Sequence, residues 1–260
     1  MILGNYRILE QIGEGGFART YKAEHVILKE LACLKQNINL STEDAELLLR
    51  EAKLLWHIHH YSLPTLRDYI KGPDGSFVLV MTYVEGKDLF KVVEKDYPDG
   101  MDPEHVCWIA QRLLNALHYL HFHGTIHGDV KPQNILIKPK EHNAVLVDYG
   151  LSTLRPGRKS VPPGCTPAFA APEQLAGKPP LPETDLYGLG MTMIHALGGN
   201  ITGKTYPAHV PKELQNFFNQ MVLHDPLKRP KSADDLIRPL SDLREKLFGR
   251  RTSGRDLKIS

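Results

Sequence analysis

Residues 126–136 constrain the fold of this chain most strongly, because they place charged and amide side chains directly before an apolar strand. Asp129, Lys131 and Asn134 lie on one short loop, and Asp148 follows the next apolar run and precedes a glycine. Charged side chains between apolar strands rarely serve packing, since burying an unpaired charge is costly. Carboxylate and amide oxygens bind Mg²⁺, and an ammonium group offsets phosphate charge. The pattern therefore predicts a loop that holds a divalent metal and phosphate.

Three motifs, in order along the chain, carry a family resemblance. Residues 127–134 resemble the catalytic loop H-R-D-L-x-x-x-N of protein kinases, residues 148–150 resemble their D-F-G, and residues 171–173 match their A-P-E. The resemblance covers about residues 6–240 and is to eukaryotic-like (Hanks-type) serine/threonine protein kinases. It implies an α+β, bilobal protein-kinase-like fold with a small β-rich N-lobe and a larger helical C-lobe. The sequence of residues 131–134 and the compact length of the chain resemble those of bacterial members of this family.

The resemblance also divides the chain. An N-lobe is expected over residues 1–84, with a five-stranded sheet and one helix, because the apolar run 77–84 ends at a glutamate and a glycine. A C-lobe is expected over residues 85–248, with the catalytic loop and the activation segment. Residues 249–260 are predicted to form a flexible basic tail, in which Thr252 and Ser253 follow two arginines.

Composition excludes several classes of protein. The net charge of +2 over 260 residues gives no reason to expect nucleic acid or an anionic membrane as a partner. The three cysteines are far apart, which argues against a disulfide framework. No apolar run reaches the roughly 18 residues of a membrane-spanning helix, and the early strand pattern leaves no room for a signal peptide. We therefore expect a cytoplasmic protein, and the oligomeric state is left open.

A glycine-rich turn is expected between two strands near the start of the chain. Such a turn lets backbone N–H groups approach phosphate without obstruction by side chains. Taken alone, the pattern fits an ordinary hairpin turn equally well. It resembles the kinase loop G-x-G-x-x-G-x-V in part, because Ala18 replaces the third glycine and Thr20 replaces the valine. The resemblance implies that Gly13 and Gly15 cover the phosphates.

Lys35 ends a short apolar strand, and Glu51 lies on the helix that follows. Ser41 is a good helix N-cap with an acid three residues on, and leucines then recur at helical spacing. An edge-strand lysine and a solvated surface glutamate are the alternatives for these two residues. The resemblance implies instead that Lys35 and Glu51 pair to hold the α and β phosphates of ATP.

The resemblance assigns ATP and Mg²⁺ as cofactors. Residues expected to contact the nucleotide are Ile12, Gly13, Gly15, Thr20, Cys33, Lys35, Met81, Thr82, Val84, Asp88 and Leu136. Cys33 is expected above the adenine and Met81 behind it, where core packing is a compatible alternative. The backbone of Thr82 and Val84 is expected to bind the adenine edge, and Asp88 the ribose.

The same resemblance implies a mechanism. Asp129 accepts or orients the proton of the substrate hydroxyl, and Lys131 neutralises the γ-phosphate. Asn134 and Asp148 are expected to hold two Mg²⁺ ions. Lys131 and Thr166 favour a protein substrate with a serine or threonine acceptor over a tyrosine acceptor.

Two other functions stay open at this point. A catalytic loop written H-G-D also occurs in small-molecule phosphotransferases, and a catalytically dead kinase fold would bind nucleotide or a partner. Three features favour the protein kinase over these two functions. They are Thr166 before A-P-E, the segment 185–190, and Arg229, which is expected to pair with Glu173. A dead scaffold has no physical need for all five of the polar residues that this chain retains, which are Lys35, Glu51, Asp129, Asn134 and Asp148.

Two departures from the family pattern carry predictions. Gly128 stands where regulated kinases have an arginine that grips a phosphate on the activation segment. Activity is therefore predicted not to depend on that grip, unless Arg155 or Lys159 replaces it. The segment 197–211 is short and rich in helix breakers, so a helix that the family usually places there is predicted to be truncated or missing.

Overall fold

A computed structural model describes residues 1–251 and 257–259. The chain divides into two compact units, Met1–Glu85 and Gly86–Ser260. Half of the predicted tail, including Thr252 and Ser253, lies outside the described residues. Among the residues described, no helix is both long and apolar enough to cross a membrane.

The first unit consists of an antiparallel sheet and one helix. Its elements are β1 (Ile2–Leu3), β2 (Tyr6–Glu14), β3 (Ala18–His25), β4 (Leu31–Asn37), α1 (Thr42–Leu55), β5 (Leu66–Lys71) and β6 (Phe77–Thr82). The strand order is β1-β2-β3-β4-β6-β5, so the sheet has six strands and the predicted number of five was wrong. The added strand, β1, is only two residues long, which is too short to show the alternation that marks a strand in sequence.

The two faces of this sheet differ in chemistry. One face carries an apolar cluster made of Leu3, Ala23, Ala32, Leu34, Val78 and Val80. Because side chains alternate along a strand, Cys33 and Lys35 of β4 project from the opposite face. Helix α1 begins where predicted, with the Ser41 hydroxyl accepting a hydrogen bond from the Asp44 N–H at 3.2 Å. Its buried side includes Leu48 and Glu51.

The second unit is mainly helical. Its longer elements are β7 (Lys87–Asp88), α2 (Leu89–Asp96), α3 (Pro103–Phe122), β8 (Thr125–Ile126), β9 (Ile135–Lys138), β10 (Asn143–Leu146), β11 (Thr153–Leu154), α4 (Pro172–Leu175), α5 (Pro182–Ala196), α6 (Lys212–Asn219) and α7 (Asp234–Phe248). Short 3-10 turns cover Pro132–Asn134, Pro139–Glu141, Gln220–Val222 and Pro226–Lys228. The strands form a three-stranded sheet, β10-β9-β7, and a β11-β8 pair.

Two buried helices support the loops of the second unit. Helix α3 starts at the predicted Asp102 cap, which accepts a hydrogen bond from the Glu104 N–H at 2.8 Å. It stops at Gly124, whose positive φ of 75° suits a helix end. Helix α5 is buried along most of its length and passes beneath the catalytic loop.

Residues 197–211, all of which are described, contain no helix, as the sequence predicted. A single bridge between Asn200 and Thr205 closes a tight turn there. At the other end of the unit, Arg250 pairs with the buried Glu104 at 3.1 Å, and Arg251 pairs with Glu245 at 2.7 Å. These two arginines fix the chain against α3 and α7 just after α7 ends.

Candidate active site

Lys35 and Glu51 form a buried ion pair in the first unit. The Lys35 Nζ lies 3.0 and 2.7 Å from the two carboxylate oxygens of Glu51. Only 10% of the lysine side chain and 1% of the glutamate side chain are exposed. Phe17 adds a cation–π contact, with its ring centre 5.2 Å from the ammonium. The pair is therefore internal, which excludes the solvated-surface alternative for Glu51.

The glycine-rich segment forms the turn between β2 and β3. Gly13 lies inside β2 opposite Thr20, and Thr20 lies opposite Lys35. The turn itself is closed by the Gly15 N–H, which donates to the Ala18 carbonyl at 2.9 Å. A Cβ built on Gly16 would meet nothing within 4 Å. Three residues on neighbouring strands are thus in register across the sheet, next to an open turn: Gly13, Thr20 and Lys35.

Two further predicted nucleotide contacts of this unit, Cys33 and Met81, lie on the same face as Lys35. Cys33 pairs in register with Met81 and lies two residues from Lys35, so the three share that face. Ile12, next to Gly13, is 45% exposed. Val84 follows the end of β6 and is half-buried.

Hydrogen bonds within the first unit limit how the backbone of Thr82 could meet adenine. Its backbone N–H donates to the Thr65 carbonyl at 2.9 Å, and its hydroxyl accepts from the Thr65 N–H at 3.0 Å. The N–H of Thr82 is therefore engaged in the unit itself, because Thr65 lies on the chain just before β5. Any contact of the Thr82 backbone with adenine must use its carbonyl.

Asp88 and Leu136, the two nucleotide contacts predicted in the second unit, are neighbours. They pair in register between β7 and β9. The Asp88 carboxylate caps α2, accepting from the Lys91 N–H at 2.9 Å, and its other oxygen lies 2.9 Å from the Lys91 Nζ. Asp88 thus has a structural role as a helix cap beside its predicted role at the ribose.

Three polar side chains, those of Lys131, Asn134 and Thr166, surround the carboxylate of Asp129. Asp129 Oδ2 lies 2.7 Å from the Lys131 Nζ, and Oδ1 accepts from the Thr166 hydroxyl at 2.8 Å. Lys131 also donates to the Thr166 hydroxyl at 2.7 Å. The Asn134 amide nitrogen donates to the Asp129 carbonyl at 2.9 Å and to Oδ2 at 3.1 Å. The structure therefore brings Asp129, Lys131 and Asn134 together, and adds Thr166.

Thr166 was absent from the predicted catalytic set, although its position before A-P-E was noted. It lies 37 residues from Asp129 in the sequence. Spacing within a loop motif cannot reveal such a contact. The signal that could have found it was its place next to a proline, shortly before Glu173.

Asp185 of α5 supports the catalytic loop from below. Its two carboxylate oxygens accept from the backbone N–H groups of His127 and Gly128 at 2.9 and 2.8 Å. His121 lies 2.8 Å from the same carboxylate. Gly128 has a φ of +79°, and a Cβ built there would lie 2.7 Å from the Leu151 carbonyl oxygen. A glycine therefore fits this position without strain, where another residue would be strained.

His127 holds the backbone of Asp129 through its imidazole ring. Its Nδ1 accepts from the Asp129 N–H at 3.3 Å, so the Nε2 carries the hydrogen and faces the Val147 carbonyl at 3.2 Å. Complete burial lowers the pKa of His127 below its ordinary value, although Asp185, Asp129 and Asp148 oppose this shift. The imidazole is thus neutral at pH 7.

Asp148 and Asn134 are the side chains that would hold a metal ion. Asp148 follows β10, is exposed, and has a φ of +67°. Its carboxylate accepts from the Gly150 N–H at 3.4 Å, while the next residue, Tyr149, is buried against the ring of His127. Because the Asn134 nitrogen binds Asp129, its oxygen is the atom that suits a metal. A carboxylate and an amide oxygen are hard ligands that fit Mg²⁺.

The predicted pair of Glu173 and Arg229 is confirmed. Two parallel hydrogen bonds of 2.7 and 2.9 Å join the guanidinium to the carboxylate. The Thr184 hydroxyl donates to Glu173 at 2.9 Å. Burial raises the pKa of Glu173, but the hydrogen bonds from Arg229 and Thr184, with a backbone contact, outweigh it and leave the pKa below its ordinary value. The pair anchors α4 to the base of α5.

The fold and these motifs define a class of protein. Residues 6–246 match the protein kinase domain family, and the chain belongs to that family.

Among curated relatives, the chain is 29% identical to serine/threonine-protein kinase D of Synechocystis sp., over 93% of this chain and 53% of the relative. It is 30% identical to serine/threonine-protein kinase F of the same organism, over 93% and 56% of the two chains. It is also 30% identical to serine/threonine-protein kinase pkn2 of Myxococcus xanthus, over 90% and 28%. The chain thus spans about half the length of the two Synechocystis relatives.

Proposed function

We propose that this chain transfers the γ-phosphoryl group of Mg-ATP to a serine or threonine hydroxyl of a protein. The observation that carries the proposal is the hydrogen bond from the Thr166 hydroxyl to the Asp129 carboxylate at 2.8 Å. An alcohol already donates to this carboxylate, which is the interaction that an acceptor hydroxyl needs. The serine/threonine kinase relatives support the same acceptor chemistry.

Each residue of the loop has a separate task. Asp129 orients the acceptor hydroxyl and takes its proton. Lys131, 2.7 Å from that carboxylate, brings a positive charge to the place where phosphate charge develops. Asp185 and His127 hold the loop backbone so that Asp129 keeps its direction.

Other side chains are assigned to the cofactor. Lys35, held by Glu51, binds the α and β phosphates, and Asn134 and Asp148 hold Mg²⁺. When bound, Mg²⁺ neutralises phosphate charge. The remaining contacts with the nucleotide are assigned to Ile12, Gly13, Gly15, Thr20, Cys33, Met81, Thr82, Val84, Asp88 and Leu136. The oxygen ligands and the buried lysine fit this cofactor by their chemistry.

A protein substrate is favoured over a small alcohol. The bidentate contact of Arg229 with Glu173 fixes the segment that follows Thr166, on the side where a polypeptide acceptor would extend. A dead scaffold is disfavoured because burying Lys35 and Glu51 together has an energetic cost that nucleotide-free packing does not require.

We also propose that activity does not depend on a phosphate held at position 128. Gly128 has no side chain, and the Leu151 carbonyl fills the space beside it. Arg155 is the residue considered as a substitute for the missing arginine. Its side chain packs beside Gly124, since a Cβ built on Gly124 would lie 3.0 Å from the Arg155 Cγ. A phosphatase-treated sample should therefore retain its rate. A large loss that autophosphorylation restores would contradict this.

The function is tested with radiolabelled γ-phosphate, Mg²⁺ and two kinds of acceptor. A generic basic protein should take the label on serine or threonine, and an amino-sugar should not. The Asp129→Asn variant is the matched control, since it keeps the shape of the side chain. Label on the sugar alone, or label in neither acceptor, would overturn the proposal.

A further inference from the structure

Residues 127–130, all of which the structure describes, belong to no helix or strand, so their carbonyl groups need hydrogen-bond partners from elsewhere. Side chains supply these partners. The carbonyls of His127 and Asp129 each accept from a side chain at 2.9 Å. The carbonyl of Gly128, which lies between them, accepts from the side-chain amide of Gln174 on α4 at 2.8 Å. Gln174 has no part in the roles assigned above.

Two partners fix the orientation of the Gln174 amide. Its oxygen accepts from the Ala171 N–H at 3.1 Å, so its nitrogen is the atom that faces the Gly128 carbonyl. Only 8% of Gln174 is exposed, and the residue lines the same small cavity as Asp129. The side chain therefore links the start of α4 to the catalytic loop in one defined arrangement.

The peptide unit that joins Gly128 to Asp129 is held at both ends. Its carbonyl accepts from Gln174, and its N–H donates to the His127 Nδ1 at 3.3 Å. A peptide unit is planar and rotates as one body about the single bonds beside it. Glycine permits such a rotation more readily than other residues, because it has no Cβ. The bond from Gln174 thus opposes a rotation that would turn the Asp129 side chain.

We propose that Gln174 is a positioning residue for phosphoryl transfer, which fixes the direction of the Asp129 carboxylate through the Gly128 carbonyl. The inference rests on the proposed function, in which Asp129 orients the acceptor hydroxyl. Asp185 cannot replace this bond, because it accepts from the Gly128 N–H, which belongs to the preceding peptide unit. A displacement of about 1 Å at a reacting group can lower a rate about 10²-fold, so a small rotation here matters.

The test variant is Gln174→Met, which keeps the length of the side chain and loses both hydrogen bonds. Gln215→Met is the matched control, because the Gln215 amide of α6 also donates to a backbone carbonyl, that of Val210, at 3.0 Å. With labelled Mg-ATP and a serine peptide, label is measured in the peptide and in the phosphate released to water. The ratio of the two does not depend on how much of the protein is folded.

Gln174→Met should lower the ratio of peptide transfer to hydrolysis about tenfold or more. A peptide hydroxyl has one bound orientation and needs the Asp129 carboxylate in line, whereas water is small and reorients freely. Gln215→Met should leave the ratio unchanged. An unchanged ratio in folded Gln174→Met would overturn the proposal.

Amide hydrogen exchange gives a second readout, which does not require activity. The Asp129 N–H should exchange slowly in the unaltered chain and about tenfold or more faster in Gln174→Met than in Gln215→Met, because local opening becomes easier. The comparison with Gln215→Met removes any effect of a general loss of stability. Rapid exchange of this N–H in the unaltered chain would overturn the proposal, whether or not the variants fold.

The two readouts separate this inference from the proposed function. Faster exchange at Asp129 in Gln174→Met, with no transfer by the unaltered chain, supports the restraint on Asp129 and refutes the kinase activity. Transfer by the unaltered chain, with the same ratio and the same exchange in Gln174→Met, supports the activity and refutes the positioning role.

Discussion

Two buried ion pairs, Arg229–Glu173 in the second unit and Lys35–Glu51 in the first, have different surroundings. Arg229 and Glu173 have side chains that are 0% and 4% exposed. Arg229 also donates to the carbonyls of Leu223, His224 and Glu183 at 2.8 to 3.2 Å. In the pair of Lys35 and Glu51, in contrast, 10% of the lysine side chain is exposed.

The contrast separates a structural pair from a functional one. The planar guanidinium of Arg229 directs its donors to fixed acceptors on three segments, which suits an anchor. The ammonium of Lys35 is a compact charge on a flexible stem, and a small part of the side chain reaches solvent. Arg229 should therefore matter chiefly for stability, and Lys35 chiefly for phosphoryl transfer.

The largest stability effect is expected at the structural pair. Arg229→Met should lower the free energy of unfolding by about 3–5 kcal/mol, because it leaves the charge of Glu173 buried and three carbonyls without their donor. Denaturant unfolding measures this. Arg238→Met is the control, since Arg238 is 90% exposed in its ion pair and should change stability little. Equal stability of both variants would remove the distinction between the pairs.

The functional pair should respond in the opposite way. The double variant Lys35→Met/Glu51→Leu replaces a buried ion pair with apolar groups, which is often neutral for stability. Phosphoryl transfer should fall about 10²–10³-fold, because a charge that contacts phosphate is lost. Transfer rate and denaturant midpoint are compared in one preparation. A full rate in the folded variant would contradict the assigned role.

A smaller change tests how the structural pair is supported. Thr184→Val removes the hydroxyl that donates to Glu173 at 2.9 Å and accepts from the Leu181 N–H at 3.0 Å. The expected loss is about 1–2 kcal/mol of unfolding free energy, from one bond to a charged group. Thr202→Val, at an exposed turn position, should have no such effect. Similar losses in both would show that the buried hydroxyl adds nothing.

The pH dependence of stability sharpens the comparison further. Because the pKa of Glu173 is lowered on folding, its contribution is present above about pH 4.5 and is lost as the pH falls through the folded pKa. The lowered pKa of His127 gives a separate loss that begins as the pH falls below about 6.5. Each group steepens the decline by at most about 1.4 kcal/mol per pH unit. His127→Gln should remove the upper window and Glu173→Gln the lower one, as measured by thermal unfolding across pH. Unchanged curves would refute these assignments.

Local sequence signals predicted much of the fold. The Ser41 cap and the Asp102–Pro103 start were readable because capping depends on neighbouring residues. The order of the motifs was enough to place Asp129 with Asn134. One contact and one backbone conformation were not readable from spacing alone. Asp185 reaches the backbone of His127 across 58 residues, and the positive φ of Gly128 is set by that contact and by packing.

Transfer of γ-phosphate in the presence of Mg²⁺ tests the central claim most directly, with Asp129→Asn and Asp148→Asn measured beside the unaltered chain. Asparagine keeps the shape of each side chain and tolerates the positive φ at position 148. The account predicts transfer to serine or threonine by the unaltered chain and a loss of about 10²–10⁴-fold in Asp129→Asn, with the unfolding midpoint retained. Asp148→Asn should lose transfer as well. Normal turnover in either folded variant would contradict it.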